Sequence, residues 1–328
     1  MKLYDISVIG ATGLVGRTFL NILLNSSLPI GKVHLYASEK SEGKILMIGK
    51  RSLTVNCLSN YTDKKEQFIV LACKSSISKL FVSNYSGNAV IIDNSSAFRM
   101  KKHVPIIIPP INAPLAKNKK ILANPNCVVA TISLHLFLIN KKYKITDLNI
   151  STYQAVSGSG QRGIEHLSLA KENKFCDFYQ YDISKTCIAK IGEINELGQS
   201  EEELKVADEL KKILNNYDTH ICVSCVRVPV ENCHGANVTV CVEKDFLISD
   251  FESLFTKENA IIFLSNKQNE LPNSITAAKS EYVFLGRLRL HSSKKNCFQF
   301  YIVGDNLYRG AAYNAYQIIE YLINDGNI

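Results

Sequence analysis

The segment Gly10-Ala11-Thr12-Gly13-Leu14-Val15-Gly16 restricts the fold more than any other stretch of the chain. It lies between an apolar run that reads as a strand, Tyr4 to Ile9, and one that reads as a helix, Leu14 to Leu24. Glycines at such a junction allow a tight turn and close backbone approach to a pyrophosphate. The helix start adds N–H groups without helical partners and the positive end of a dipole. The spacing G-x-x-G-x-x-G is a variant of the dinucleotide fingerprint, and alone it also describes a plain strand-to-helix turn. The next three apolar runs favour the nucleotide. Val33 to Ala37, Phe68 to Ala72 and Ala89 to Asp93 read as short buried strands separated by helical stretches, which predicts βαβ units and a parallel sheet.

After Cys127 the pattern changes. Val128 to Asn140 is apolar and long enough for a helix. Ile145 to Ala155, Ile221 to Val230 and Asn237 to Val242 read as longer strands, the last two with no helix between them. An antiparallel sheet in a second, α+β domain is expected. Tyr308 to Ile323 reads as an amphipathic helix. The 328 residues suit two domains.

Composition excludes several classes of function. Hydrophobic residues make up 46% and charged residues 21%, so the chain is not a disordered or low-complexity one. No apolar run approaches the roughly 18–20 residues that span a bilayer. The N-terminus lacks the pattern of a secretory signal. The net charge of +8 comes from dispersed pairs such as Lys64-Lys65, Lys101-Lys102 and Lys294-Lys295, with no stacking aromatics among them, so no nucleic-acid partner is expected. Ten cysteines are too sparse for a disulfide scaffold; a reducing cytoplasm is expected, with most thiols acting as small buried hydrophobes.

One cysteine stands apart. Asn124-Pro125-Asn126-Cys127 precedes the Val128 helix, and a thiol at a helix N-terminus gains thiolate character. Such a nucleophile needs a base, and His234 lies in a connection between two predicted strands. Cys222 and Cys225 have metal-like spacing, but residues three apart on a strand face opposite sides, so no metal is expected. Ser157 to Gly163 reads as a phosphate cradle or a flexible connection. Near the end of the second strand, Ser38 and Lys40 suit a 2′-phosphate, whereas Glu39 suits a ribose hydroxyl.

Together these motifs resemble the aspartate-semialdehyde dehydrogenase family along nearly the whole chain. The matching stretches are GATGLVG at 10–16, DNSSAFRM at 93–100, NPNC at 124–127 and QAVSGSGQRGIEHL at 154–167. EEELK at 201–205, RVPVENCH at 227–234, GRLR at 286–289 and GDNLYRGAAYNAYQIIEYL at 304–322 come next, in order. The resemblance implies NADPH-dependent reductive dephosphorylation of β-aspartyl phosphate to aspartate semialdehyde, toward lysine, threonine and methionine. It implies Cys127 as nucleophile, His234 as general acid/base and Gln154 as a substrate-orienting group. Arg227 would hold the α-carboxylate and Glu202 the α-amine; Arg99, Asn126 and Lys205 would bind phosphate. NADP would lie on Gly10, Thr12, Gly13, Leu14, Val15, Ser38, Lys40, Ser41 and Asn306.

The implied fold is α/β: a Rossmann-type dinucleotide-binding domain, 1–127 with 307–328, and an α+β catalytic and dimerisation domain, 128–306. Homodimers, pairing into tetramers, would form through the second domain. Ser200 and Glu203 match a capping box, which puts Glu202 and Lys205 on neighbouring positions of one helix face. The sequence departs from the family at Leu71 to Ser76, which lacks a small glycine pair. It also has Lys40 where Arg is common and Gly235 where Ser is common. N-acetyl-glutamyl-phosphate reductase and a non-catalytic paralogue are the rival readings.

Overall fold

The computed structural model describes residues 2–265 and 270–326. The chain divides into two compact units, residues 1–125 with 311–328, and residues 126–310.

The first unit is built on β1 (Tyr4–Ile9), β2 (Ile30–Ala37), β3 (Ile45–Ile48), β4 (Arg51–Cys57), β5 (Phe68–Leu71), β6 (Val90–Asp93) and β7 (Ile121–Ala123). They pair in the order β3-β4-β2-β1-β5-β6-β7, all parallel except the β3–β4 hairpin. Central strands with both faces covered must be apolar throughout, and Phe68–Leu71 is buried at every position. The helices here are α1 (Leu14–Leu24), α2 (Ser75–Asn84) and α3 (Pro109–Asn112), joined by the last helix of the chain, Tyr313–Asn324. That helix is tied in by Asn314, whose Nδ2 donates to Ile107 O at 2.8 Å and to Asn124 Oδ1 at 2.7 Å. Strand order reverses around β1, so the carboxyl end of β1 is a topological switch point, where open α/β sheets take ligands.

The second unit opens with α4 (Cys127–Tyr143), which leads into β8 (Ile145–Gln154). Next come α5 (Gln161–Lys171), α6 (Glu201–Leu214), β9 (His220–Arg227), β10 (His234–Val242), α7 (Ile248–Thr256) and β11 (Ile261–Leu264). They are followed by α8 (Ser274–Ala277), β12 (Val283–Leu290) and β13 (Cys297–Gly304), and the Tyr313–Asn324 helix is α9. The sheet order is β11-β12-β13-β10-β8-β9.

This sheet is mixed, not purely antiparallel as the strand spacing suggested. β9 does not pair with β10; it lies parallel to β8, and β10 runs antiparallel on the other side of β8. The six residues 228–233 therefore carry the chain across the end of β8. The segment from Tyr308 also differs from expectation, opening with a π-helical turn, Tyr308–Ala312, before α9. Most cysteines are thiols, but Cys241 and Cys297, opposite one another on β10 and β13, form a disulfide. Among the described residues no helix is long and apolar enough to cross a membrane.

Candidate active site

In the first unit the glycine loop is shaped by its own backbone. Gly10 has φ +85°, and a Cβ there would strike the Ala72 carbonyl. A Cβ at Gly16 would strike the Gly10 carbonyl, which keeps α1 close against β1. Gly13 differs: a Cβ there would meet nothing nearer than Gly10 O at 3.4 Å, and the residue is exposed. Gly13 is also the N-cap of α1, which has no side-chain cap and no acidic residue in its first turn. The first-turn N–H groups, Leu14 and Val15 among them, thus have no side-chain cap competing for them, as a pyrophosphate site requires. Thr12 is half-buried in the same turn.

Beside it, Ser38 and Lys40 are exposed, while Ser41 is buried and donates its N–H to Ser38 O at 2.8 Å. A groove of about 650 Å³ lined by Ala37, Ser38, Leu58, Ile77 and Phe81 runs from this edge. It has the size and apolar walls an adenosine needs. Arg99 is buried in this unit, its Nε donating to Asn124 O and its Nη2 to Asn94 O, both at 2.8 Å.

The second unit gathers its polar residues at one sheet edge. β8 and β9 run parallel in the register Gln154↔Arg227, so both end there, and antiparallel β10 begins there with His234. All three side chains are buried. Arg227 Nη1 donates to the Ala155 carbonyl at 2.6 Å. The Ala155 N–H donates to His234 Nδ1 at 3.0 Å. A ring nitrogen that accepts a hydrogen bond carries no proton, so the neutral imidazole holds its proton on Nε2. That atom is buried and has no hydrogen-bond partner among the described residues. Burial, and then the nearby Arg227 charge, push the His234 pKa down to about 3 against an opposing pull from the Cys233 carbonyl. The ring is neutral at working pH.

Gly158 fixes where these groups point. A Cβ on it would lie 2.8 Å from Arg227 Nη1 and 3.2 Å from His234 Nε2, so both reach the same spot. The Ser157–Gly163 segment also supplies Gly160, the N-cap of α5, a helix with no side-chain cap and no acidic residue in its first turn. The segment begins in a 3-10 turn, Val156–Ser159, pinned by Ser157 N–H to Glu231 O and leading into α5. Asn306 ties this turn to the His234 connection. Its Nδ2 donates to Ser157 Oγ at 3.0 Å, and its Oδ1 accepts the Cys233 N–H at 2.9 Å.

Cys127 is the first residue of α4 and is half-buried. Asn126 caps that helix, its Oδ1 accepting the Val128 N–H at 2.8 Å and the Val129 N–H at 3.4 Å. Asn126 Nδ2 donates to Glu202 Oε1 at 2.9 Å, and Gln154 Nε2 reaches the same oxygen at 3.3 Å. Ser200 and Glu203 form the expected capping box, which turns Glu202 inward. Lys205 lies further out and pairs with Glu201 at 3.2 Å. On the other side of Cys127, the Gly310 backbone packs so closely that a Cβ there would lie 3.1 Å from Cys127 Cβ. Asp305 holds that turn, accepting the Leu307 and Tyr308 N–H groups at 2.8 Å each.

Sequence reasoning missed Glu209, whose buried carboxylate accepts the Asn126 N–H at 2.7 Å. The available signal was its spacing, two helical turns after Glu202. The family difference at Gly235 has a local cause: a Cβ there would collide with the Tyr301 hydroxyl.

The chain matches two family models, the NAD binding domain of semialdehyde dehydrogenase over residues 5–119 and its dimerisation domain over 137–309. It is 34% identical to aspartate-semialdehyde dehydrogenase of Aquifex aeolicus, with 99% of each chain covered. It is 35% identical to that of Rickettsia conorii, also over 99% of each. The chain belongs to the aspartate-semialdehyde dehydrogenase family. Among solved structures, that of Vibrio cholerae aspartate semialdehyde dehydrogenase II complexed with ASA superimposes with a TM-score of 0.94 at 28% identity, covering 99% of each chain. Family membership makes this an oxidoreductase with a nicotinamide-nucleotide domain and a dimerisation domain, in the two-domain α/β fold expected.

Proposed function

We propose that the chain catalyses NADPH-dependent reductive dephosphorylation of β-aspartyl phosphate to aspartate semialdehyde through a thioacyl enzyme on Cys127. The observation that carries this reading is the shared aim of Arg227 Nη1 and His234 Nε2 at Gly158, in the unit that presents Cys127 on a capped helix start. Gly10, Thr12, Gly13, Leu14 and Val15 would hold the pyrophosphate, and Ser38, Lys40 and Ser41 the 2′-phosphate of NADP. The bound cofactor supplies the hydride.

The Cys127 thiolate attacks the acyl carbon and phosphate leaves. His234 Nε2–H donates to the acyl oxygen as it becomes negative, where a preorganised donor contributes most. Collapse of the reduced adduct returns the thiolate and releases the aldehyde. Gln154 orients the substrate. The Arg227 fork takes its α-carboxylate, with the guanidinium plane held by Ala155 O. Glu202 takes the α-ammonium. Arg99, Asn126 and Lys205 receive phosphate, Asn126 doing so only with what its cap leaves available. The dimerisation-domain match supports a homodimer, and the predominance of thiols over disulfides supports the cytoplasm.

The direct test follows NADP reduction with aspartate semialdehyde and phosphate. NADP should exceed NAD in kcat/KM by roughly five- to a hundredfold, the equivalent of about 1–3 kcal/mol for a charge-assisted contact. Equal values would make Glu39 the ribose reader. N-acetyl-glutamate semialdehyde should be rejected by orders of magnitude, because its neutral amide brings no counter-charge to the buried Glu202 carboxylate. Glu202→Gln should narrow that gap, and Arg227→Lys should lower kcat/KM by losing the fork. Preference for the acetylated compound would transfer the assignment to the rival reductase.

A further inference from the structure

α6 buries Val206, Leu210, Ile213 and Leu214, as an amphipathic helix should, but the same helix also buries two carboxylates. Glu202 is 9% exposed and Glu209 is 1% exposed. They stand seven residues apart, on one face of the helix. Both converge on Asn126: Glu209 Oε2 takes its backbone N–H at 2.7 Å, and Glu202 Oε1 its side-chain amide at 2.9 Å. Glu202 already has a role toward the substrate ammonium. Glu209 has none in the proposed chemistry, yet a buried carboxylate is costly even with the Lys212 charge near it, and a glutamine could accept the same N–H. A charge-assisted bond is the shorter and stronger one.

We propose that Glu209 is a positioning residue for Cys127. Its carboxylate clamps the Asn126 peptide from α6, so the first turn of α4 holds one orientation and the thiol at its start is aimed. Without the clamp, Asn126 keeps its side-chain bonds and the Ala130 N–H on its carbonyl at 2.8 Å, but the N–H of the Pro125–Asn126 peptide loses the carboxylate that orients it. Nucleophile placement is sensitive to such a loss: an error of about 1 Å costs on the order of 10²-fold in rate. The assignment rests on Cys127 being the nucleophile.

The experiment compares Glu209→Ala, Glu209→Gln and Glu209→Asp with wild type in steady-state turnover. It also measures iodoacetamide labelling of Cys127, read by peptide mass spectrometry. Glu209→Ala should lower kcat by about 10²-fold with KM for aspartate semialdehyde within about threefold, and should change the Cys127 labelling rate by about tenfold or more. Glu209→Gln, which keeps an acceptor, should recover most of kcat. If Glu209→Ala does not fold, Glu209→Asp carries the test, since withdrawing the carboxylate by one methylene should give a smaller loss confined to kcat. Wild-type kcat and labelling in Glu209→Ala overturn the proposal. So does a rise in KM alone, or equal losses in the Gln and Ala variants that track thermal stability. If wild type itself shows no turnover, the functional reading fails, while the labelling rates still report whether Glu209 holds the Cys127 turn.

Discussion

A methyl group on Gly158 would lie 2.8 Å from Arg227 Nη1 and 3.2 Å from His234 Nε2. Neither neighbour can retreat freely. Arg227 is anchored to Ala155 O, and His234 receives the Ala155 N–H. Gly158→Ala should therefore lower kcat/KM by about 10²-fold or more while the melting temperature changes by only a few degrees. Activity within twofold of wild type would show that the spot is not where substrate sits. Cys127→Ala should abolish turnover and leave NADP binding intact, which fluorescence titration can read. Burial pushes the Cys225 and Cys233 thiols up to about 12, so neither should compete with Cys127 for an alkylating reagent at neutral pH. Labelling of any other cysteine first would count against activation at the helix start.

Two helices and a strand edge hold this chemistry in place. α4 presents Cys127 at its start and, two turns on, buries His135 against the Phe255 and Phe300 rings, which also contact each other. Among the described residues neither ring nitrogen of His135 has a hydrogen-bond partner, and burial, then the Arg309 charge, push its pKa down to about 3. An unsatisfied buried polar group costs about 1–3 kcal/mol. His135→Leu, of similar volume, should leave stability unchanged or raise it, as read by urea unfolding. A loss above about 2 kcal/mol would mean that the imidazole has a partner after all. The strand edge is a product of topology. Because β8 and β9 are parallel and β10 is antiparallel, Gln154, Arg227 and His234 meet at one end although they are 73 and 7 residues apart in sequence.

For the protein as a whole, two of the buried histidines, His135 and His234, make acid stability a measurable property. Both have folded-state pKa values pushed down to about 3, against about 6.5 when unfolded. Below pH 6.5 the unfolded chain binds the extra protons, so stability is fully present above that pH. It falls as pH drops from about 6.5 toward 3, by about 1.4 kcal/mol per unit for each residue. At pH 5 one histidine accounts for about 2 kcal/mol. Urea unfolding at pH 7 and pH 5 should thus show a smaller acid loss for His135→Leu than for wild type, by about that amount. An equal loss in both proteins would show that His135 is solvated and titrates normally.

Local chemistry was readable along the chain. The glycine loop between β1 and α1, the helix that begins at Cys127 and the Ser200 capping box each depend on residues only a few positions apart, where turn, cap and dipole rules act. The apolar runs also announced a parallel sheet succeeded by a different kind of unit. Pairing was not readable. Strands Ile221–Val230 and Asn237–Val242 looked like neighbours, and only the folded sheet placed β8 between them, because register is decided by which faces bury together. Side-chain partners were equally hidden. Asn306 bonds Ser157 and Cys233, and Glu209 holds Asn126, each across a separation that no local pattern encodes. The Nε2 proton of His234 depends on a single N–H from Ala155, 79 residues away in sequence. Nothing near position 234 encodes that donor, because which tautomer a buried imidazole adopts is set by whatever the packed chain brings to its other nitrogen.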